Sequence, residues 1–213
     1  MGKLLPSLFS RSAKKQTKAA FVDYAKRYRG VYLGPVEPRS VEHHLVRGFT
    51  TTNTHRDTNH CVGQYLHHDY VILRREDKGQ QYIIAEIDLH VLRPLHHFFV
   101  VPNELAEQMF ALLLAAHLHH RYVPFSPGDG FMPRFKHRYS LLSRPEYFQA
   151  TSAAVKGELA RCLSEVRQPF ILEVTGSSLF VYDISGDTPT VKTLDIQLRF
   201  ACTLATLLEK SSL

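Results

Sequence analysis

The chain has 213 residues, 44% of them hydrophobic and 11% aromatic, which suits a packed core and excludes a disordered chain. A formal net charge of +6 favours acidic partners (nucleic acid, anionic lipid, acidic protein) as a field effect only. The odd number of cysteines, Cys61, Cys162 and Cys202, none in a CxxC pair, excludes a complete disulfide framework and points to a reducing, cytoplasmic compartment.

The first eighteen residues hold Lys3, Arg11, Lys14, Lys15 and Lys18 and no acid, so residues 1–18 are read as a basic, flexible tail. Pro6 interrupts the short apolar start, so no secretory segment of ordinary length is read there. The densest apolar run, Met109 to Ala116, is far below the ~20 residues of a transmembrane helix. A first helix is predicted over Lys18 to Arg29, with Phe21, Tyr24, Ala25 and Tyr28 on one face. Strands are predicted over 43–51, 60–66, 70–76 and 81–92. In the last of these, Ile83, Ala85, Ile87, Leu89 and Val91 take one face, leaving the other to solvent. "FFVVP" (98–102) reads as a short buried strand, and Asn103 caps a helix running to His120.

Residues 123–134, "VPFSPGDGFMPR", hold three prolines and two glycines and form the best candidate boundary between lobes. Beyond it, 134–143 alternates Phe135, His137, Tyr139 and Leu141 and reads as a strand. Ser143 and Glu146 match a capping box, with Pro145 in the first turn of a helix that ends at Pro169. "FILEV" and "LFVYDI" flank Gly176-Ser177, which suits a two-residue type II′ hairpin. A final helix from Leu194 to Lys210 puts Leu194, Leu198, Ala201, Leu204 and Leu208 on its core face. The predicted class is α+β in two small lobes: an antiparallel meander with flanking helices over 19–125, then a β-α-β-β-α unit over 134–213.

The segment "FKHRYSLLSRPEYFQATSAAVKGELARCLSEVRQPFILEVTGSSLFVYD" resembles the C-terminal part of certain uncharacterised bacterial proteins. "VGQYLHHDYVILRRED" and "LHHFFVVP" are similar to their central hairpin and their short strand ending in proline. The similarity touches about half the chain and its motifs are structural. It implies a bacterial setting and an α+β fold, and brings no activity or functional residues.

The chemistry-bearing residues are mainly the 13 histidines, eight of them in the doublets His43-His44, His67-His68, His96-His97 and His119-His120. The densest stretch is "HRDTNHCVGQYLHHDY", residues 55–70. In an extended strand His55, Asp57, Asn59 and Cys61 share a face and His60 points away, which argues against a Cys61–His60 nucleophile pair. His55 and Cys61 lie about 20 Å apart at ~3.3 Å per residue, so they form no dyad without a bend. His67, His68 and Asp69 belong to the following turn. A sharper metal set is Glu86, Asp88 and His90 on one strand face, joined by His55 from outside it. His117, His119 and His120 close a helix, where the macrodipole already favours them. No HExxH pattern, phosphate loop or nucleophile elbow occurs.

These readings favour a soluble bacterial protein acting as a non-enzymatic interaction or binding module. No catalytic residue and no resident cofactor are assigned. Its expected partner is a protein or an acidic surface. One alternative is a metal-assisted hydrolase or nuclease, using a divalent ion such as zinc on Glu86 and Asp88 with His90, His55 or His97. The other is nucleic-acid binding through the basic tail.

Overall fold

The apolar alternation of residues 81–92 builds the middle of the molecule. In the computed structural model, residues 5–35, 48, 55–77, 79–108 and 122–211 are described here. Strands β1 (Val31–Gly34), β2 (Arg56–Tyr65), β3 (His68–Asp77), β4 (Gln80–Asp88), β5 (Leu95–Pro102), β6 (Val123–Phe125), β7 (Tyr139–Ser143), β8 (Ile171–Gly176) and β9 (Ser178–Asp183) form one sheet. Their order is β1-β2-β3-β4-β9-β8-β5-β7-β6, and every neighbouring pair is antiparallel. The helices are α1 (Leu5–Arg27), α2 (Pro133–Arg138), α3 (Phe148–Val155), α4 (Glu158–Glu165) and α5 (Val191–Ser211). None among the described residues is long and apolar enough to cross a membrane. The α+β class is therefore the one expected.

The elements on either side of residues 125–134 share this sheet. β4 pairs with β9 from Ile83↔Asp183 to Asp88↔Ser178, and β5 lies between β7 and β8. The proline-rich stretch turns the chain without parting the hydrogen-bond ladder. Edge strand β6 carries Pro124, a position where a missing N–H costs no inner ladder bond.

One sheet face packs against the helices. Phe21 and Tyr24 of α1, Leu159 and Leu163 of α4, and Leu194, Leu198 and Leu204 of α5 meet Ile72, Ala85, Ile87, Val174 and Val181 in one core. The predicted core face of α5 is buried in full. Gln197 on that helix is also buried, and its amide donates to the carbonyls of Ile83 and Val181, both at 2.9 Å. Helix α5 is thus tied to both strands of the β4–β9 seam by bonds as well as by packing.

The other face is not the solvated surface expected for β4. Leu73, Tyr82, Ile84, Phe99, Val101, Phe180 and Tyr182 form a second core there. Gly48 lies against it: a Cβ at that position would collide with Tyr182 Oη, so only glycine fits. Strand alternation alone cannot distinguish a solvated face from one lined with Tyr and Glu.

Several local expectations change for identifiable reasons. Helix α1 begins at Leu5, so residues 5–18 are helical rather than an unstructured tail. Thr17 is buried one turn before Phe21, extending the apolar stripe upstream. Residues 133–138 are helical, not extended, because Pro133 occupies the first turn and Phe131, Phe135 and Tyr139 stack at four-residue spacing. The Ser143–Glu146 capping box does not form; Ser143 Oγ donates to the carbonyl of Arg144, and Ser143 ends β7. A reciprocal cap occurs instead at α5, where Thr190 Oγ1 accepts the Thr193 N–H at 3.1 Å and Thr193 Oγ1 accepts the Thr190 N–H at 2.8 Å. The predicted single helix after Ser143 is split into α3 and α4 by Gly157, whose φ of 84° no helix tolerates. Gly176 has φ 62° between the paired Thr175 and Ser178, as the expected II′ hairpin requires. The predicted strand 43–51 lies outside the described residues, save Gly48, and so does the part of the predicted helix 103–120 beyond Gln108.

Leu198→Ala removes a fully buried side chain from the centre of α5, and a loss of about 2–5 kcal/mol in urea unfolding is expected. Lys192→Ala on the exposed side of the same helix should stay within about 0.5 kcal/mol.

Candidate functional site

Strand β2 is irregular where the sequence is most polar. Thr58 pairs with Arg74 and Cys61 with Ile72, so β2 carries one residue more than β3 in this interval. Asn59 absorbs the extra residue at φ 58°, a region that asparagine enters more readily than most side chains. The bulge reverses the alternation. Asp57 points to the second core with Arg75, whereas Cys61 points to the helix side, where its thiol donates to the carbonyl of Phe21 at 3.3 Å. The expectation that His55, Asp57, Asn59 and Cys61 share one face is corrected accordingly. Burial pushes the Cys61 thiol up to about 12, so it is no thiolate nucleophile at neutral pH.

The same bulge opens a groove of about 380 Å³ between α1 and the start of β2. Lys14 and Lys18 come from α1, Arg56 from β2 and Arg74 from β3, while Glu76 is the one acid among the described residues of its lining. Arg74 is held in place by neutral oxygens: Nη1 donates to Thr17 Oγ1 at 3.2 Å and Nη2 to Gln81 Oε1 at 2.5 Å. Tyr32 donates to Asn59 Oδ1 at 2.9 Å, and Asn59 Nδ2 to Thr58 Oγ1 at 3.2 Å, which fixes the wall opposite Arg74. The result is a concave surface with four cations, one acid and a pre-set guanidinium, suited to an anionic group. Sequence reading missed it because Lys14 and Lys18 were assigned to a tail and Arg74 to an ordinary strand. The four-residue spacing of Lys14 and Lys18, in step with Phe21 and Ala25, was the available signal.

The predicted metal set is only partly assembled. Glu86 and Asp88 line one shallow cleft together with Asp69. His90 lies past the end of β4, with its ring 5.8 Å from that of His67 and 5.7 Å from that of His68. His55 is elsewhere. It stands 3.8 Å from Asp57, next to the Arg56↔Glu76 pair, whereas Glu86 pairs with Val71. Five residues of β3 separate these levels, about 16 Å at ~3.3 Å per residue. Glu86 is 8% exposed, and its Oε2 has no hydrogen-bond partner among the described residues. Burial first, and the Asp88 carboxylate second, push Glu86 up to about 8.

The remaining acids and histidines of the second face form structural pairs. Asp57 accepts two bonds from Arg75, Nε at 2.7 Å and Nη2 at 2.6 Å, both residues being buried. Glu173 accepts from Tyr182 at 2.6 Å and lies 2.8 Å from His97 Nε2, whose Nδ1 is 2.8 Å from Tyr122 Oη. This Tyr–Glu–His–Tyr chain places His97 against the interior, as its apolar flanks suggest. His96 faces the other way, onto Thr151 Oγ1 at 2.9 Å and the Tyr147 ring, and burial lowers its pKa. His43, His44, His117, His119 and His120 lie outside the described residues.

Among the described residues, fold and site together define an α+β protein with a nine-stranded antiparallel sheet, helices packed on one face, and a basic groove at one end. Among solved structures, the chain is similar to the crystal structure of the mycobacterial trehalose monomycolate transport factor A, TtfA. The TM-score is 0.62 over 90% of this chain and 94% of that one, with 13% sequence identity. At that identity the likeness establishes the fold alone. No protein-family model matches the sequence, and no curated protein matches it.

The raised Glu86 pKa has a sign that can be measured. From the ordinary value of 4.5 up to about 8, the folded chain keeps a proton that the unfolded chain has released. Stability should therefore fall as pH rises through that window and level off above it. Glu86→Gln should remove this contribution, so that variant and wild type diverge progressively between pH 5 and 8 in urea midpoints. Parallel profiles would show that Glu86 is not a buried acid.

Proposed function

We propose that the protein is a non-enzymatic binding module, and that the groove between α1 and β2–β3 takes an acidic segment of a protein partner. The supporting observation is the concentration of Lys14, Lys18, Arg56 and Arg74 around one cavity, where Glu76 is the one acid among the described lining residues. Arg74 matters most in this reading. Its fork is oriented by Thr17 and Gln81 before any ligand arrives, so less freedom is lost on pairing with a carboxylate. A protein of the same fold is named for transport rather than for catalysis, which agrees with a binding role. A bacterial cytoplasm belongs to the same proposal and suits the free thiols Cys61, Cys162 and Cys202.

The test is fluorescence anisotropy with a labelled oligoglutamate peptide. Combined Lys14→Glu, Lys18→Glu and Arg56→Glu changes lie at exposed positions and spare the core. Affinity should drop at least about tenfold and the salt dependence should flatten. Lys156→Glu, Lys192→Glu and Lys210→Glu together change net charge equally and should leave binding near the wild-type value. Equal losses in both triples would reduce the groove to a non-specific field effect. An oligonucleotide that binds more tightly than the peptide, and loses affinity in the groove triple alone, would transfer the site to nucleic acid. Deleting residues 1–18 is a poor substitute, because Thr17 is buried and holds Arg74.

A further inference from the structure

At the opposite end of β3 from the groove, three elements meet. The β2–β3 turn brings His67 and His68, the end of β4 brings Asp88 and His90, and the last turns of α5 bring Thr206 and Glu209. His67 Nε2 is 3.6 Å from Glu209 Oε2, and His68 Nδ1 is 3.5 Å from Glu209 Oε1. One nitrogen from each imidazole and one carboxylate oxygen lie within 4.8 Å of one another. Four-coordinate zinc, with bonds of ~2.0–2.1 Å, holds its ligand atoms about 3.4 Å apart. Each histidine is close to that spacing from one oxygen of Glu209, His67 from Oε2 and His68 from Oε1. His67 is more than half exposed on its turn and so is free to rotate toward the other two ligands.

The hydrogen bonds around His68 give an independent reason to expect a cation. Thr206 Oγ1 donates its one proton to the carbonyl of Cys202 at 3.0 Å, the usual back-bond of a helical threonine. His68 Nε2, 3.2 Å from the same oxygen, must then be the donor to Thr206. This leaves the Nδ1 lone pair facing Glu209 Oε1 at 3.5 Å and the carbonyl of Asp88 at 3.4 Å. In that tautomer three acceptors converge, an arrangement that a bound cation would satisfy. A buried imidazole with one N–H fixed by a neighbour and the other nitrogen aimed at a carboxylate is the arrangement that metal-ligating histidines adopt.

Glu209 is itself positioned. It accepts the backbone N–H of His90 at 2.7 Å, which holds its carboxylate over the turn. The turn is unusual as well. Leu66 sits at φ 56°, where a leucine is strained, and this conformation brings the His67 ring to 4.0 Å from that of His68.

We propose that His67 Nε2, His68 Nδ1 and Glu209 bind a divalent ion of the zinc class, with a fourth position open to water or to His90. Two imidazoles and one carboxylate suit zinc or cobalt and disfavour magnesium and calcium, which prefer oxygen. The set shares His90 with the residues singled out in the sequence and replaces Glu86, Asp88 and His55. It stands apart from the basic groove, so either site can fail without the other.

The experiment uses the full chain without a histidine tag, freed of metal by chelator and titrated with cobalt chloride. One equivalent should bind, with the visible absorption band of four- or five-coordinate cobalt, and zinc should displace it. His67→Ala and Glu209→Gln should each weaken cobalt binding at least about tenfold with the circular dichroism spectrum unchanged. His137→Ala, at an exposed histidine elsewhere, should have no effect. Neither site variant should change oligoglutamate binding. Absence of the cobalt band in the wild type would overturn the proposal and leave an imidazolium–carboxylate contact in its place. Retention of full affinity in both His67→Ala and Glu209→Gln would overturn it equally, by placing the metal on other histidines.

Discussion

Six residue pairs, from Ile83↔Asp183 to Asp88↔Ser178, hold β4 against β9, and the remainder of the molecule is arranged around that seam. β4 ends the meander β1–β4 at Asp88, and β9 begins only at Ser178, after the chain has passed through β5–β8. Closing so long an excursion costs loop entropy that local contacts do not repay. The return comes from burial on both faces. Ala85, Ile87 and Val181 face α5 on one side, while Ile84, Phe180 and Tyr182 face the second core on the other. Gln197 then ties α5 to both strands.

Both proposed binding regions depend on this arrangement. The groove needs α1 laid over β2 and β3, and α1 packs against α5 as well as against the sheet. The histidine cluster needs the last turns of α5 to reach the β2–β3 turn, which they do only because the helix is anchored upstream by Leu194 and Leu198. The polar pairs of the second face serve a different end. Asp57–Arg75 and Glu173–Tyr182 are buried and mutually satisfied, and pairs of this kind add little net stability while making other strand registers costly. They are better regarded as register locks than as chemistry.

Much of the fold was legible in the sequence and the exceptions have physical causes. The apolar faces of β4 and α5 follow from strict periodicity, and Gly176 marks its hairpin because only a positive φ suits that turn. Joining the halves was not legible, because no local signal tells Ile84 that its partner is Tyr182. The proline-rich run 123–134 resembled a domain linker because turns and linkers share a composition. Phe135 and Tyr139 satisfy period two and period four alike, so the helix 133–138 was read as part of the strand that begins only at Tyr139. The candidate sites were hidden for a related reason. The bulge at Asn59 reverses which residues share a face, and Glu209 meets His67 and His68 only through the packing of α5. His90 was read with Glu86 and Asp88 on one face of the 81–92 strand, but it lies past the end of β4 and its ring neighbours His67 and His68 come from the β2–β3 turn.

Native-state hydrogen exchange across a denaturant series tests the central claim, that one sheet closed at the β4–β9 seam governs the whole molecule. Amides of β3 and β4, such as Ile72 and Ile84, and of β8 and β9, such as Leu172 and Val181, should merge into one unfolding isotherm with a common free energy and slope. Two separate isotherms dividing near residues 125–134 would contradict the account and restore two independently stable lobes.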